Sequence, residues 1–165
     1  MTAVAVLGLG RMGGAMAGRL ASCGFDVILY NRSPEKARAL AATLGARHAV
    51  TPAEAVAGSA VAITMLSDDA AVQDVFAGPD GVIAGLDERT IAVDMSTVLP
   101  TTIQSLERAV RATGAGILDA PVSGSVSGAS SGGLTIMVGG EAADLERARP
   151  VFDALGKSVI HVTPE

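Results

Sequence analysis

A chain of 165 residues, 49% apolar and 18% charged, is long enough to fold as one compact domain (1–165) with neither disulfide nor metal. A net charge of −5 without any basic run excludes duplex nucleic acid and anionic membranes as partners, and 2% aromatic content without tryptophan removes a base-stacking platform. Cys23 has no second cysteine to pair with and, in its apolar helical setting, is expected to be a small buried side chain. No signal-like leader or bilayer-length apolar run occurs, so a cytoplasmic location is expected.

Val4 to Leu7 is a short apolar run closed by Gly8, and from Met12 apolar residues recur at helical spacing until Gly24, which predicts strand, tight turn, helix. Val27 to Tyr30 is a second buried strand. Ser33-Pro34 then opens a helix to about Leu44 with a capping hydroxyl and a proline at the first helical position. Further strands are predicted at 60–66, 90–94, 116–119, 134–138 and 158–162, and helices at 69–76, 100–113 and 141–155. The Gly/Ser-rich stretch from Ser123 to Gly133 reads as a loop within the domain. Continuous apolar strands alternating with amphipathic helices predict an α/β fold: a doubly wound, mostly parallel sheet covered on both faces.

Gly8-Leu9-Gly10-Arg11-Met12-Gly13 matches G-x-G-x-x-G, and its place between first strand and first helix lends it weight. Gly8 can make the tight turn, Gly10 lets a diphosphate approach the backbone, and Gly13 permits close helix–strand packing. The positive end of the helix then faces the anion. This is the pattern of a Rossmann-type dinucleotide site, although an ordinary glycine turn, a flavin or S-adenosylmethionine would use the same residues. The second strand should end on an acidic residue if the ligand is NAD, to receive the ribose hydroxyls. Here Asn31 stands there, followed by Arg32 and Ser33, so a guanidinium able to grip a 2′-phosphate replaces a carboxylate that would repel it. NADP is therefore favoured over NAD. The competing reading of Asn31 to Pro34 is a turn and helix cap with Arg32 solvated.

These motifs resemble the β-hydroxyacid dehydrogenase family, which includes 3-hydroxyisobutyrate dehydrogenases, tartronate semialdehyde and glyoxylate reductases, and 6-phosphogluconate dehydrogenases. Gly8 to Leu20 is similar to its opening signature, and Asn31-Arg32-Ser33 to the form in its NADP-using members. The resemblance implies that Met65 and Leu66, in Thr64-Met65-Leu66-Ser67, lie against the nicotinamide ribose. It also implies that Ser96 and Thr97, in Asp94-Met95-Ser96-Thr97, lie near nicotinamide and substrate. Asp119-Ala120-Pro121-Val122-Ser123-Gly124 resembles the loop that receives the substrate carboxylate, which makes Ser123 and Gly124 the substrate-binding candidates. Both loops follow apolar strands, at the sheet edge where this architecture binds ligands. For Ser96 and Thr97 the alternative is a cap on the next helix, and for Ser123 to Gly133 a flexible surface loop.

The reaction implied is hydride transfer between a nicotinamide cofactor and a small hydroxy acid or its semialdehyde or keto form. Two departures stand out: Ser125 replaces a second glycine, and the family's catalytic lysine and C-terminal helical domain would fall beyond Glu165. Lys36 and Lys157 match no catalytic motif and read as surface lysines, while His48 and His161 read as structural. The 165 residues are accordingly expected to bind cofactor without enzymatic turnover, and to self-associate through the face the helical domain would cover. A non-catalytic NADP-binding module and the cofactor domain of an imine reductase are the rival readings.

Overall fold

The computed structural model describes residues 1–162; the last three residues of the expected 1–165 domain lie outside the described residues. Six parallel strands form the body of the sheet: β1 (Ala3–Leu7), β2 (Asp26–Tyr30), β3 (Arg47–His48), β4 (Val61–Thr64), β5 (Ile91–Asp94) and β6 (Gly116–Asp119). They are joined through α1 (Arg11–Ser22), α2 (Pro34–Leu44), α3 (Pro52–Val56), α4 (Asp69–Ala77), α5 (Val82–Gly85) and α6 (Pro100–Ala112). After β6 come β7 (Val122–Ser123), α7 (Val126–Ser131), β8 (Leu134–Gly140), α8 (Ala142–Leu155) and β9 (Gly156–Val162). The strand order is β3-β2-β1-β4-β5-β6-β8-β7, with β9 on β8. β8 runs antiparallel to β6 and β7 and parallel to β9.

The two-residue period of the strands builds two cores. Val4, Val6, Val27, Leu29, Val61, Ile63 and Val93 face one side, with Met16 and Leu20 of α1 and Val151 and Phe152 of α8. Ala5, Leu7, Ile28, Ala62 and Ala92 face the other, with Val72 and Phe76 of α4 and Ile103, Leu106 and Val110 of α6. Both faces are thus covered, which is why these strands read as unbroken apolar runs. From β1 the chain winds outward to β3 and then returns to place β4 on β1's other edge. That reversal opens a crevice beyond the carboxyl ends of β1 and β4.

Several expectations are corrected. Cys23 is exposed, because it is the C-cap of α1, where the helix face has turned away from the core. Ser33 is the N-cap of α2, but its hydroxyl makes no capping hydrogen bond. The stretch from Ser123 to Gly133 is no plain loop: it contains the end of β7 and the short helix α7, which buries Ala129 on α1. Ser125 caps α7, its Oγ accepting from the Gly128 amide at 3.1 Å. Ser125→Ala should therefore destabilise the chain by about 1 kcal/mol in urea unfolding; an unchanged midpoint would show that the cap contributes nothing.

Candidate functional site

The glycine turn sits at the crevice, and each glycine has a different reason to be there. Gly8 adopts φ +95°, and a Cβ on it would stand 2.3 Å from the Met65 carbonyl oxygen. A Cβ on Gly13 would stand 1.9 Å from the Gly8 carbonyl oxygen, so no other residue lets α1 approach the turn. A Cβ on Gly10, by contrast, would meet nothing within 4 Å, which leaves open space for a ligand on that side of the turn. Gly10 is the N-cap of α1 and no acidic residue stands in that helix's first turn, so its N-terminal amides face the crevice without a side-chain acceptor.

Asn31, at the end of β2, braces this turn. Its Oδ1 accepts from the Leu9 amide at 2.9 Å, and its Nδ2 donates to the Ser33 carbonyl at 3.3 Å. Arg11, Arg32 and Ser33 are exposed beside it. Together Gly8 to Gly13, Asn31, Arg32, Ser33, Met65 and Leu66 line one cleft of about 500 Å³. Its far wall, Ala71, Asp74 and Val75 of α4, was not identified from the sequence. The available signal was the position of α4, whose N-cap Asp68 comes only a short turn, Met65-Leu66-Ser67, after the crevice strand β4, which keeps the helix beside the opening.

The neighbouring strand ends carry a buried polar cluster. Asp94 and Ser96 are buried, and Asp94 Oδ1 accepts from Thr64 Oγ1 at 2.6 Å and from Ser96 Oγ at 2.8 Å. Ser96 Oγ accepts from the Leu66 amide at 2.9 Å. Burial pushes the Asp94 carboxyl above the usual carboxylate range against the pull of those two hydroxyls. Asp119, in register with Asp94 on β6, is pushed up to about 6 by burial and then by the charge of Asp94. Ser96 and Thr97 do not cap α6. Its N-cap is Leu99, and Asp69 of α4 accepts from the Leu99 amide at 2.9 Å and from Thr102 Oγ1.

Ser96, Thr97, Ser123 and Gly124 do not line the glycine-turn cleft. Thr97, Ser123 and Gly124 are exposed, Ser123 paired with Thr135 in β7. Lys36 and Lys157 are exposed, and His161 Nε2 lies 2.9 Å from the Gly140 carbonyl oxygen. No helix among the described residues is long and apolar enough to cross a membrane.

A crevice at the β1/β4 reversal, with a glycine turn that a Cβ would close and free helix amides facing open space, defines a Rossmann-type dinucleotide-binding domain. Residues 3–163 match the family described as the NAD binding domain of 6-phosphogluconate dehydrogenase, and the chain belongs to it. It is 38% identical to the NAD-dependent L-serine dehydrogenase of Pseudomonas aeruginosa over 165 residues, 100% of this chain and 55% of that protein. To the 3-hydroxyisobutyrate dehydrogenase of the same organism it is 38% identical over 161 residues, 98% of this chain and 54% of that protein. A solved structure described as Psf3 in complex with NADP+ and 2-OPP superposes with a TM-score of 0.90 at 36% identity, covering 96% of this chain and 56% of that one. The chain thus spans about half the length of the curated relatives it matches. It is a nicotinamide-dinucleotide-binding domain of the hydroxyacid dehydrogenase-like oxidoreductases.

Proposed function

We propose that the cleft holds NADP in preference to NAD. The observation that carries this reading is the end of β2. Asn31 there has its amide oxygen committed to Leu9, while Arg32 and the uncommitted hydroxyl of Ser33 stand exposed on the cleft. No carboxylate occupies the position that would receive the ribose hydroxyls of NAD and repel a 2′-phosphate. A guanidinium fits that phosphate in geometry and in charge, and Arg11 on the first turn of α1 adds a second cation along the same wall. Gly8, Gly10 and Gly13 would receive the diphosphate at the helix N-terminus, and Met65 and Leu66 would back the nicotinamide ribose.

The cofactor, when bound, supplies the hydride, and this chain supplies position and electrostatics. In the whole protein the acceptor or donor would be a small hydroxy acid or its semialdehyde or keto form. Its carboxylate would be received by the exposed Ser123 hydroxyl and the Gly124 backbone, with Thr97 nearby at the same sheet edge. Names of relatives divide on the cofactor, since one is called NAD-dependent and one solved neighbour holds NADP+. Direct measurement is therefore the test. Calorimetric titration should show NADPH bound more tightly than NADH, and Arg32→Ala should weaken NADPH by roughly 10- to 100-fold, about 1.5–3 kcal/mol, with little effect on NADH. Equal affinity for the two cofactors, or an unchanged preference in Arg32→Ala, would remove the NADP assignment.

A further inference from the structure

Thr64 and Asp94 end adjacent strands in register, and both are fully buried. The hydrogen bonds around them have a fixed direction. The Leu66 amide can only donate, so Ser96 Oγ accepts it at 2.9 Å and must turn its own proton to Asp94 Oδ1 at 2.8 Å, while Thr64 donates to the same oxygen. Leu66 and Met65 form the surface on which the glycine turn rests. A Cβ on Gly8 would meet the Met65 carbonyl oxygen at 2.3 Å and Leu66 Cδ2 at 2.8 Å. The carboxyl is thus joined to the wall of the cleft by one hydroxyl and one amide.

This arrangement is costly. Asp94 Oδ2 is buried without a hydrogen-bond partner among the described residues. Asp69 of α4 and Asp119 of β6 bring further negative charge toward it. An apolar side chain at position 94 would fill the space between β4 and β6 without that penalty. The acid therefore does something that packing alone would not require.

We propose that Asp94 is a positioning residue for cofactor binding: acting through Ser96, it holds the Leu66 amide, and with it the Met65–Leu66 wall, at the spacing the glycine turn and its ligand require. Ser96 then serves the site from behind the wall. The inference rests on the cofactor reading of the cleft.

Ser96→Ala cuts the link while leaving Asp94 paired with Thr64. It should weaken NADPH binding by about five- to tenfold in calorimetry, and the Leu66 amide should exchange faster with solvent by NMR. Asp94→Asn keeps an oxygen that both hydroxyls can donate to, and should stay within about threefold of wild type. Asp94→Ala removes that acceptor and should lose at least as much as Ser96→Ala; if it does not fold, Ser96→Ala and Asp94→Asn carry the comparison. The control is Thr90→Val. Thr90 is equally buried and donates to the Ser59 carbonyl at 2.7 Å, bridging the segments that lead into β4 and β5 at the opposite edge of the sheet. That variant should lose stability but keep its NADPH affinity. Undiminished NADPH binding or an unchanged Leu66 exchange rate in Ser96→Ala overturns the proposal, as does an equal loss of affinity in Thr90→Val. A wild-type chain that binds neither NADPH nor NADH overturns the cofactor reading itself, and the positioning role with it.

Discussion

Gly10→Val should abolish cofactor binding while leaving the fold in place, and Gly13→Ala should damage the fold itself. A Cβ at position 10 meets nothing within 4 Å, so a valine there would project into the space a diphosphate would occupy. Its only structural cost is that of a poorer N-cap on α1, about 1 kcal/mol or less. At position 13 a methyl group would stand 1.9 Å from the Gly8 carbonyl oxygen, a backbone atom, and the methyl itself is fixed directly to the Cα of α1, so neither can swing aside. Helix and turn must then separate, at a cost of about 3 kcal/mol, the upper end of what overpacking does. Calorimetry with NADPH and thermal melts followed by circular dichroism separate the two effects. The expected result is more than about 100-fold weaker binding with a near-normal melt for Gly10→Val, since the lost contacts are charge-assisted and several, and a depressed melt for Gly13→Ala. Undiminished binding by Gly10→Val would dismiss the dinucleotide assignment of this turn.

The second large effect concerns Asp119 and pH. Its carboxyl is held up at about 6 against an ordinary value of 3.8, by burial and then by the charge of Asp94. The folded chain therefore binds that proton more tightly than the unfolded chain. Its contribution to stability is fully present below about pH 4 and is lost as pH rises through about 6. Asp94 is shifted in the same direction by burial and adds to the same trend. Because the side chain is only partly buried and solvent screens part of the effect, this displacement corresponds to about 1–2 kcal/mol for Asp119. Asp119→Asn should thus be more stable than wild type at neutral pH by up to that amount, and the decline between about pH 4 and 6 should flatten. Urea unfolding of both proteins across that range measures it. Parallel stability curves would mean that the Asp119 carboxyl is solvated in the folded chain.

The legible and illegible parts of this protein divide by the range of the interactions involved. Alternation of Val4, Ala5, Val6 and Leu7 between two cores follows from the pleat, and an apolar run on a strand buried on both faces needs no distant information to be read. The glycine spacing is equally local, because positive φ at Gly8 and the contact of Gly13 with Gly8 arise within six residues. By contrast, α7 has the sequence Val126-Ser127-Gly128-Ala129-Ser130-Ser131, poor in helix formers. It is a helix because Ala129 finds a place on α1, more than a hundred residues earlier in the chain. Cys23 looked buried for the complementary reason: Gly24 marks the helix end, but local periodicity does not reveal that the cap residue before it has turned off the core-facing side.

By itself the sequence determined the doubly wound layers, the glycine turn and the unusual Asn31-Arg32-Ser33 ending of β2, because each depends on local periodicity or on one residue's stereochemistry. Only the tertiary structure decided which of the candidate residues share a cleft. It set α4 as the opposite wall and tied Asn31 back to Leu9. It also enclosed Ser96 between Asp94 and the Leu66 amide, while leaving Ser123 and Gly124 exposed on another part of the sheet edge. Those outcomes depend on hydrogen bonds and burial between segments distant in sequence, Leu9 with Asn31, Leu66 with Ser96 and α4 with the glycine turn, where each buried donor and acceptor takes whatever partner the packed sheet brings within reach.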